Sequence, residues 1–132
     1  MSSTRRPARS FTLTFDSPAC LPVLRKILRT MLAGADPDHV ADAELVCTEL
    51  VTNAIDHAAA PRTTQIRLDR AENLRITVVD GSPDSPVTVG SSRFGPHRGL
   101  GMLLVDRLAT HWHVTRNATT KAVRVALVAP AA

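Results

Sequence analysis

The sequence predicts an α/β two-layer sandwich, with a mixed, mostly antiparallel sheet carrying its helices on one face. Three observations lead there. Stretches of apolar/polar alternation are interspersed with stretches whose apolar residues recur at helical spacing. Their order is strand, helix, helix, two strands, loop, helix, two strands, and each late strand pair is joined by a turn short enough to force an antiparallel hairpin. The chain has 132 residues, which suits one core, and helices covering one face of a sheet bury this pattern in a single core.

The elements follow in order. Residues 1–10 read as a flexible basic arm and residues 11–132 as the folded domain. "SFTLTF" alternates as a strand. In "DSPACLPVLRKILRTMLAGA", Asp16 or Ser17 can cap a helix and Pro18 suits its first turn. Leu24, Ile27, Leu28, Met31 and Leu32 form its apolar stripe, and Gly34 is a stop. Asp36 caps a second helix with Pro37 at its first position, and Pro61 closes that segment. "TTQIRLDRA" and "NLRITVVD" form a hairpin. A Gly-, Pro- and Ser-rich loop precedes the helix "GLGMLLVDRLATH", and "WHVTRN" and "KAVRVALV" complete the strands.

Composition narrows the function classes. Aromatics are 3% of the chain, so the core is built from Val, Leu, Ile and Ala. The formal charge is +4, and Arg5, Arg6 and Arg9 carry most of it, leaving the rest near neutral. Without a basic stripe on a helix, nucleic acid is not an expected partner. No apolar run approaches the roughly 20 residues that span a bilayer, and "MSSTRRPARS" lacks the apolar region of a secretory signal. A cytoplasmic protein with Cys20 and Cys47 as free thiols, Cys47 buried, is expected. Trp112 reads as a core strand residue, and His111 and His113 make a poor metal site without a third ligand.

Three polar features interrupt this ordinary pattern. Glu49 and Asn53 stand four apart, about 40° around a helix and roughly 6 Å along it, and His57 continues that edge with Asp56 beside it. Such an edge is either a solvent face or a site whose carboxylate has a partner. In "ITVVDGSP" a strand ends on Asp80 followed by Gly81. This is either a common turn or a place where an acceptor meets an exocyclic amine. In "FGPHRGLGMLLV", glycines surround Arg98 before a helix start. That fits a connector or an anion site made of free N–H groups. Together the three compose a nucleotide site.

"ELVTNAIDHA", "VVDGSP" and "RGLGMLLVDRLA" in this order resemble the GHKL ATPase superfamily of gyrase, heat-shock chaperone, histidine kinase and MutL. Within it, "TELVTNAIDHA" is most similar to the small serine kinase/anti-sigma factors. The resemblance implies ATP and Mg²⁺ as cofactors. It implies Asn53 as the Mg²⁺ ligand and Glu49 as the catalytic acid that orients or deprotonates the nucleophile. It places Asp80 and Gly81 at the adenine, Arg98, Gly99, Leu100 and Gly101 at the phosphates, and Asp56 and His57 near the nucleotide. It implies a sigma factor and a STAS-type anti-sigma factor antagonist as partners, and a possible homodimer. "DGSPDSP" departs from the usual glycine pattern after the aspartate, so a catalytically silent binding module of the same fold is the alternative.

Overall fold

The computed structural model describes residues 7–87 and 100–130. Five strands form one sheet: β1 (Arg9–Thr14), β2 (Thr63–Leu68), β3 (Leu74–Asp80), β4 (His111–Arg116) and β5 (Lys121–Leu127). Three helices pack on one face: α1 (Leu21–Met31), α2 (Pro37–His57) and α3 (Leu100–Leu108).

The strand order is β1-β2-β3-β5-β4, and all four neighbouring pairs are antiparallel. The sheet expected to be mixed is therefore antiparallel throughout. The reason is the position of β5. The crossover through α3 brings β4 back in the direction of β3, but the β4–β5 hairpin inserts β5 between them, so the two like-directed strands never pair.

Local chemistry sets the element ends. The Ser17 side chain accepts from the Ala19 N–H over a single 3-10 turn, Pro18–Cys20, which leads into α1. Gly34 follows α1 with φ of +87°, a conformation that a side chain would strain. The Asp36 carboxylate accepts from the Asp38 N–H at 2.8 Å, with Pro37 at the first helical position of α2. Asp69 holds the β2–β3 turn by accepting from the N–H groups of Ala71 and Asn73. Asn117 does the same for the N–H groups of Thr119 and Thr120 between β4 and β5.

The core lies between the inward face of the sheet and the helices. Leu24 and Leu28 of α1, Val46, Leu50 and Val51 of α2, and Val105 of α3 meet Ile66, Ile76, Val78 and Val125 of the sheet, all buried. Arg9, grouped with the basic arm on sequence grounds, opens β1 and donates from Nη2 to the Met31 carbonyl at 2.7 Å. Trp112 packs against the core and donates from Nε1 to Asp106 on α3 at 2.9 Å. Among the described residues, no helix is long and apolar enough to cross a membrane.

Candidate functional site

The polar edge of α2 divides in two. Glu49 and Asn53 are half-buried, whereas Asp56 and His57 in the last turn are exposed. Among the described residues, neither the Glu49 carboxylate nor the Asn53 amide has a hydrogen-bond or ion-pair partner. Burial raises the pKa of Glu49 above the ordinary glutamate value, because the charged form loses water without gaining a counter-charge. The acid four residues upstream of Thr48 behaves differently, for Glu44 pairs with Arg29 at 2.8 Å. Glu49 thus holds its proton more readily than an ordinary glutamate, on the same stripe as Asn53.

The end of α2 is fastened to the end of β3. Arg62 caps the helix, donating from Nε to the Ala54 carbonyl and from Nη2 to the Ala58 carbonyl, at 3.0 and 2.7 Å. A cation at a helix C-terminus also opposes the negative end of the macrodipole. Beyond it, the Gly81 N–H donates to the Ala59 carbonyl at 2.8 Å, and the Ala59 N–H donates to the Ser82 hydroxyl at 2.7 Å. A Cβ on residue 81 would collide with the Ala60 carbonyl oxygen and lie 2.9 Å from its carbon. Gly81 is therefore needed for the approach of the chain's own backbone, which puts Asp80 beside the last turn of α2.

Asp80 is 3% exposed. Its Oδ1 accepts from the Ser82 N–H at 2.9 Å, and its Oδ2 lies 3.4 Å from the Lys121 ammonium, which is equally buried. Lys121 also reaches the Ser85 carbonyl at 3.4 Å. Arg116 donates to the carbonyls of Pro83 and Ser85 at 3.0 and 3.2 Å. The segment after Asp80 is consequently pinned from both sides, by the α2 end and by the β4–β5 hairpin. Lys121 and Arg116 belong to no motif visible in the sequence. The signal was present in phase: Lys121 alternates with Val123, Val125 and Leu127, so a lysine stands at a core-facing position of its strand.

Leu100 and Gly101 begin α3, which packs against α2. Arg98 and Gly99 lie outside the described residues. Cys47 is buried and its thiol is pushed up to about 12, chiefly by burial and further by the neighbouring Cys20 thiol. It stays protonated at neutral pH and belongs to the core.

A β3 end and an α2 edge joined in this way, on an antiparallel sheet with helices on one face, match a known domain. The profile of the histidine kinase-like ATPase domain covers residues 16–127. The chain belongs to the histidine kinase-like ATPase family. Among curated proteins none matches the sequence. Among solved structures, the chain resembles the RsbU and RsbW domains of Rv1364c from Mycobacterium tuberculosis, with a TM-score of 0.67 and 21% identity over 93% of its length. It spans 34% of that chain, about a third. It also resembles the Acinetobacter baumannii histidine kinase AdeS, with a TM-score of 0.53 and 17% identity, over 93% of this chain and 70% of that one. The histidine kinase domain of the Erythrobacter litoralis EL346 blue-light activated kinase gives 0.52 and 22%, over 83% of this chain and 63% of that one. At such identities the likenesses establish the histidine kinase-like ATPase fold.

Two outcomes follow for this ATPase domain. Removing one partner of a buried ion pair strands the other, at a cost of about 3–5 kcal/mol. Lys121→Met should lower unfolding free energy by that order in urea titrations, and Asp80→Asn with Lys121→Met should recover most of it. Glu49 has the opposite sign. Its raised pKa means that its favourable contribution exists at low pH and is lost as pH rises through the folded-state value. Glu49→Gln should therefore melt above the parent at pH 7, and the gap should close below about pH 4, where the carboxyl is neutral in both states.

Proposed function

We propose that this domain binds Mg-ATP and acts as an anti-sigma factor with serine/threonine kinase activity, phosphorylating a serine of a STAS-type antagonist in a partner-switching pathway. The observation that carries the reading is the junction that fastens the end of α2, the helix bearing Glu49 and Asn53, to the strand end at Asp80. Membership of the ATPase family supports the nucleotide. The likeness to a structure containing an RsbW domain supports the partner-switching setting.

The residues fit the roles. Among the described residues, no group of three or more His, Cys, Asp or Glu could hold a metal unaided. A lone amide such as Asn53 suits magnesium that is otherwise ligated by phosphates and water. When bound, the ion neutralises phosphate charge, which is most of what phosphoryl transfer needs besides positioning. Glu49, half-buried and without a counter-ion, accepts or orients the proton of the attacking serine hydroxyl. Asp80 and Lys121 present an acceptor next to a donor, the complement of the adenine edge with its amine beside a ring nitrogen. Leu100 and Gly101 supply helix-start N–H groups toward the phosphates, with Arg98 and Gly99 assigned there by the family resemblance. Exposed Asp56 and His57 border the entrance.

One observation favours a second reading, a binding module that regulates its partner without phosphorylating it. Asp80 is already satisfied by Lys121 and the Ser82 N–H, and its loop is pinned by Arg116.

Thermal shift and a phosphorylation assay separate the two. On the kinase reading, saturating Mg-ATP raises the melting temperature, since ligand binding to the native state stabilises it. Asn53→Ala removes the shift. Glu49→Ala retains it but loses at least about a hundredfold in phosphate transfer to an antagonist. A normal shift with no transfer by the parent protein supports the silent module. No shift at all rejects the nucleotide site.

A further inference from the structure

The face of the sheet that carries no helices is basic. The registers fix its outward residues: Ser10, Thr12 and Thr14 on β1; Thr63, Gln65 and Arg67 on β2; Arg75, Thr77 and Val79 on β3. On β5 they are Ala122, Arg124 and Ala126, and on β4 His111, His113 and Thr115. Three arginines and two histidines stand there without one acid. All five of those side chains are exposed. The nearest acids in sequence, Asp69 and Glu72, lie in the β2–β3 turn, where Asp69 spends Oδ1 on the turn itself. The remaining acids sit on the helices, in the loops or at the strand end described above.

Two features set this face apart from an ordinary solvated surface. Arg67 and Arg75 are direct cross-strand partners. Like charges placed opposite each other on neighbouring strands destabilise the pair, and among the described residues neither guanidinium has an ion-pair partner. At the end of the sheet by the β2–β3 turn, a cavity of about 340 Å³ is lined by both arginines together with Arg9, Ser10, Asp69 and Asn73. Charged residues on a sheet commonly guard its edges against pairing with another chain. Here the edge strands β1 and β4 carry Ser, Thr and His outward, and the arginines stand on the inner strands β2, β3 and β5. Edge protection does not explain them.

The geometry points to a docking surface for an acidic protein partner, with a carboxylate bridging Arg67 and Arg75 and a second acid meeting Arg124. A guanidinium fork takes a carboxylate in two parallel hydrogen bonds, and an anion between two facing arginines relieves their repulsion. Ser10, Thr12 and Gln65 supply hydrogen-bonding groups between the charges. A nucleic acid fits less well. The face offers three guanidiniums, where duplex binders neutralise roughly six to ten phosphates, and it has no outward Phe, Tyr or Trp for base stacking. A second copy docking face to face would bring two basic surfaces together. The surface lies on the far side of the sheet from Glu49, Asn53 and Asp80, so it stands independently of the nucleotide reading.

The test uses fluorescence anisotropy with the full chain, a labelled oligoglutamate peptide and a labelled DNA duplex, alongside sizing by light scattering. The expected result is saturable, salt-sensitive binding of the peptide by a monomer. Arg67→Ser with Arg75→Ser should weaken it by roughly tenfold or more, while Lys26→Ser with Arg107→Ser, equal in charge but on the helices, should change it less than about twofold. Arg75→Ser alone should also raise the melting temperature of the unliganded protein by about 1–4 °C, by ending the opposed charges. Equal losses from both double variants, absence of saturable peptide binding, tighter binding of the duplex, or a dimer that the face variants dissociate would each overturn the proposal.

Discussion

Gly81 donates its N–H to the Ala59 carbonyl at a point where any side chain would strike the Ala60 carbonyl. This contact holds two distant parts of the chain together. Through it the last turn of α2, with the half-buried amide and carboxylate one and two turns upstream, meets the strand end that carries Asp80. The bonds around it, from Arg62 to the α2 carbonyls and from Ala59 to the Ser82 hydroxyl, make the junction a fixed frame. A site built on a helix and a strand held this way has its polar groups in place before any ligand arrives, which lowers the ordering cost of binding.

The same frame explains how a strongly desolvated ion pair persists. Asp80 and Lys121 sit on registered strand partners, and the loop carbonyl of Ser85 shares the ammonium. Buried pairs contribute little net stability over apolar replacements, because desolvation offsets their attraction. This one closes the mouth of β3, where it also ties down the start of the loop after Asp80. The Asp80 carboxylate thus has its charge balanced within the protein by Lys121.

The sequence made most of the fold legible because its signals were local. Alternation in "TTQIRL" and "LRITVVD", the Asp36–Pro37 start of α2, and the apolar stripe from Leu24 to Leu32 each declared an element from within a few residues. Pairing was less legible, since the insertion of β5 between β3 and β4 depends on a return path no local pattern encodes. Within the site, Glu49 and Asn53 were visible as polar intrusions on an apolar helix. Gly81 was visible as a residue, but its use was not, because the partner it must admit, Ala60, lies 21 positions earlier. Lys121 hid in plain alternation, a charge at an inward phase. The basic face is spread over three strands, and β5, which carries Arg124, is far in sequence from β2 and β3.

The central claim is that the α2 edge and the β3 end form one ligand site on the helix side of the sheet. Amide NMR shifts recorded during titration with a non-hydrolysable Mg-ATP analogue test it most directly. The account predicts saturable shifts at Glu49, Asn53, Gly81, Ser82 and Lys121 with a common dissociation constant, and unmoved amides at Arg67, Arg75 and Arg124. Shifts confined to the sheet's open face, or a spectrum unchanged by the analogue, would contradict it.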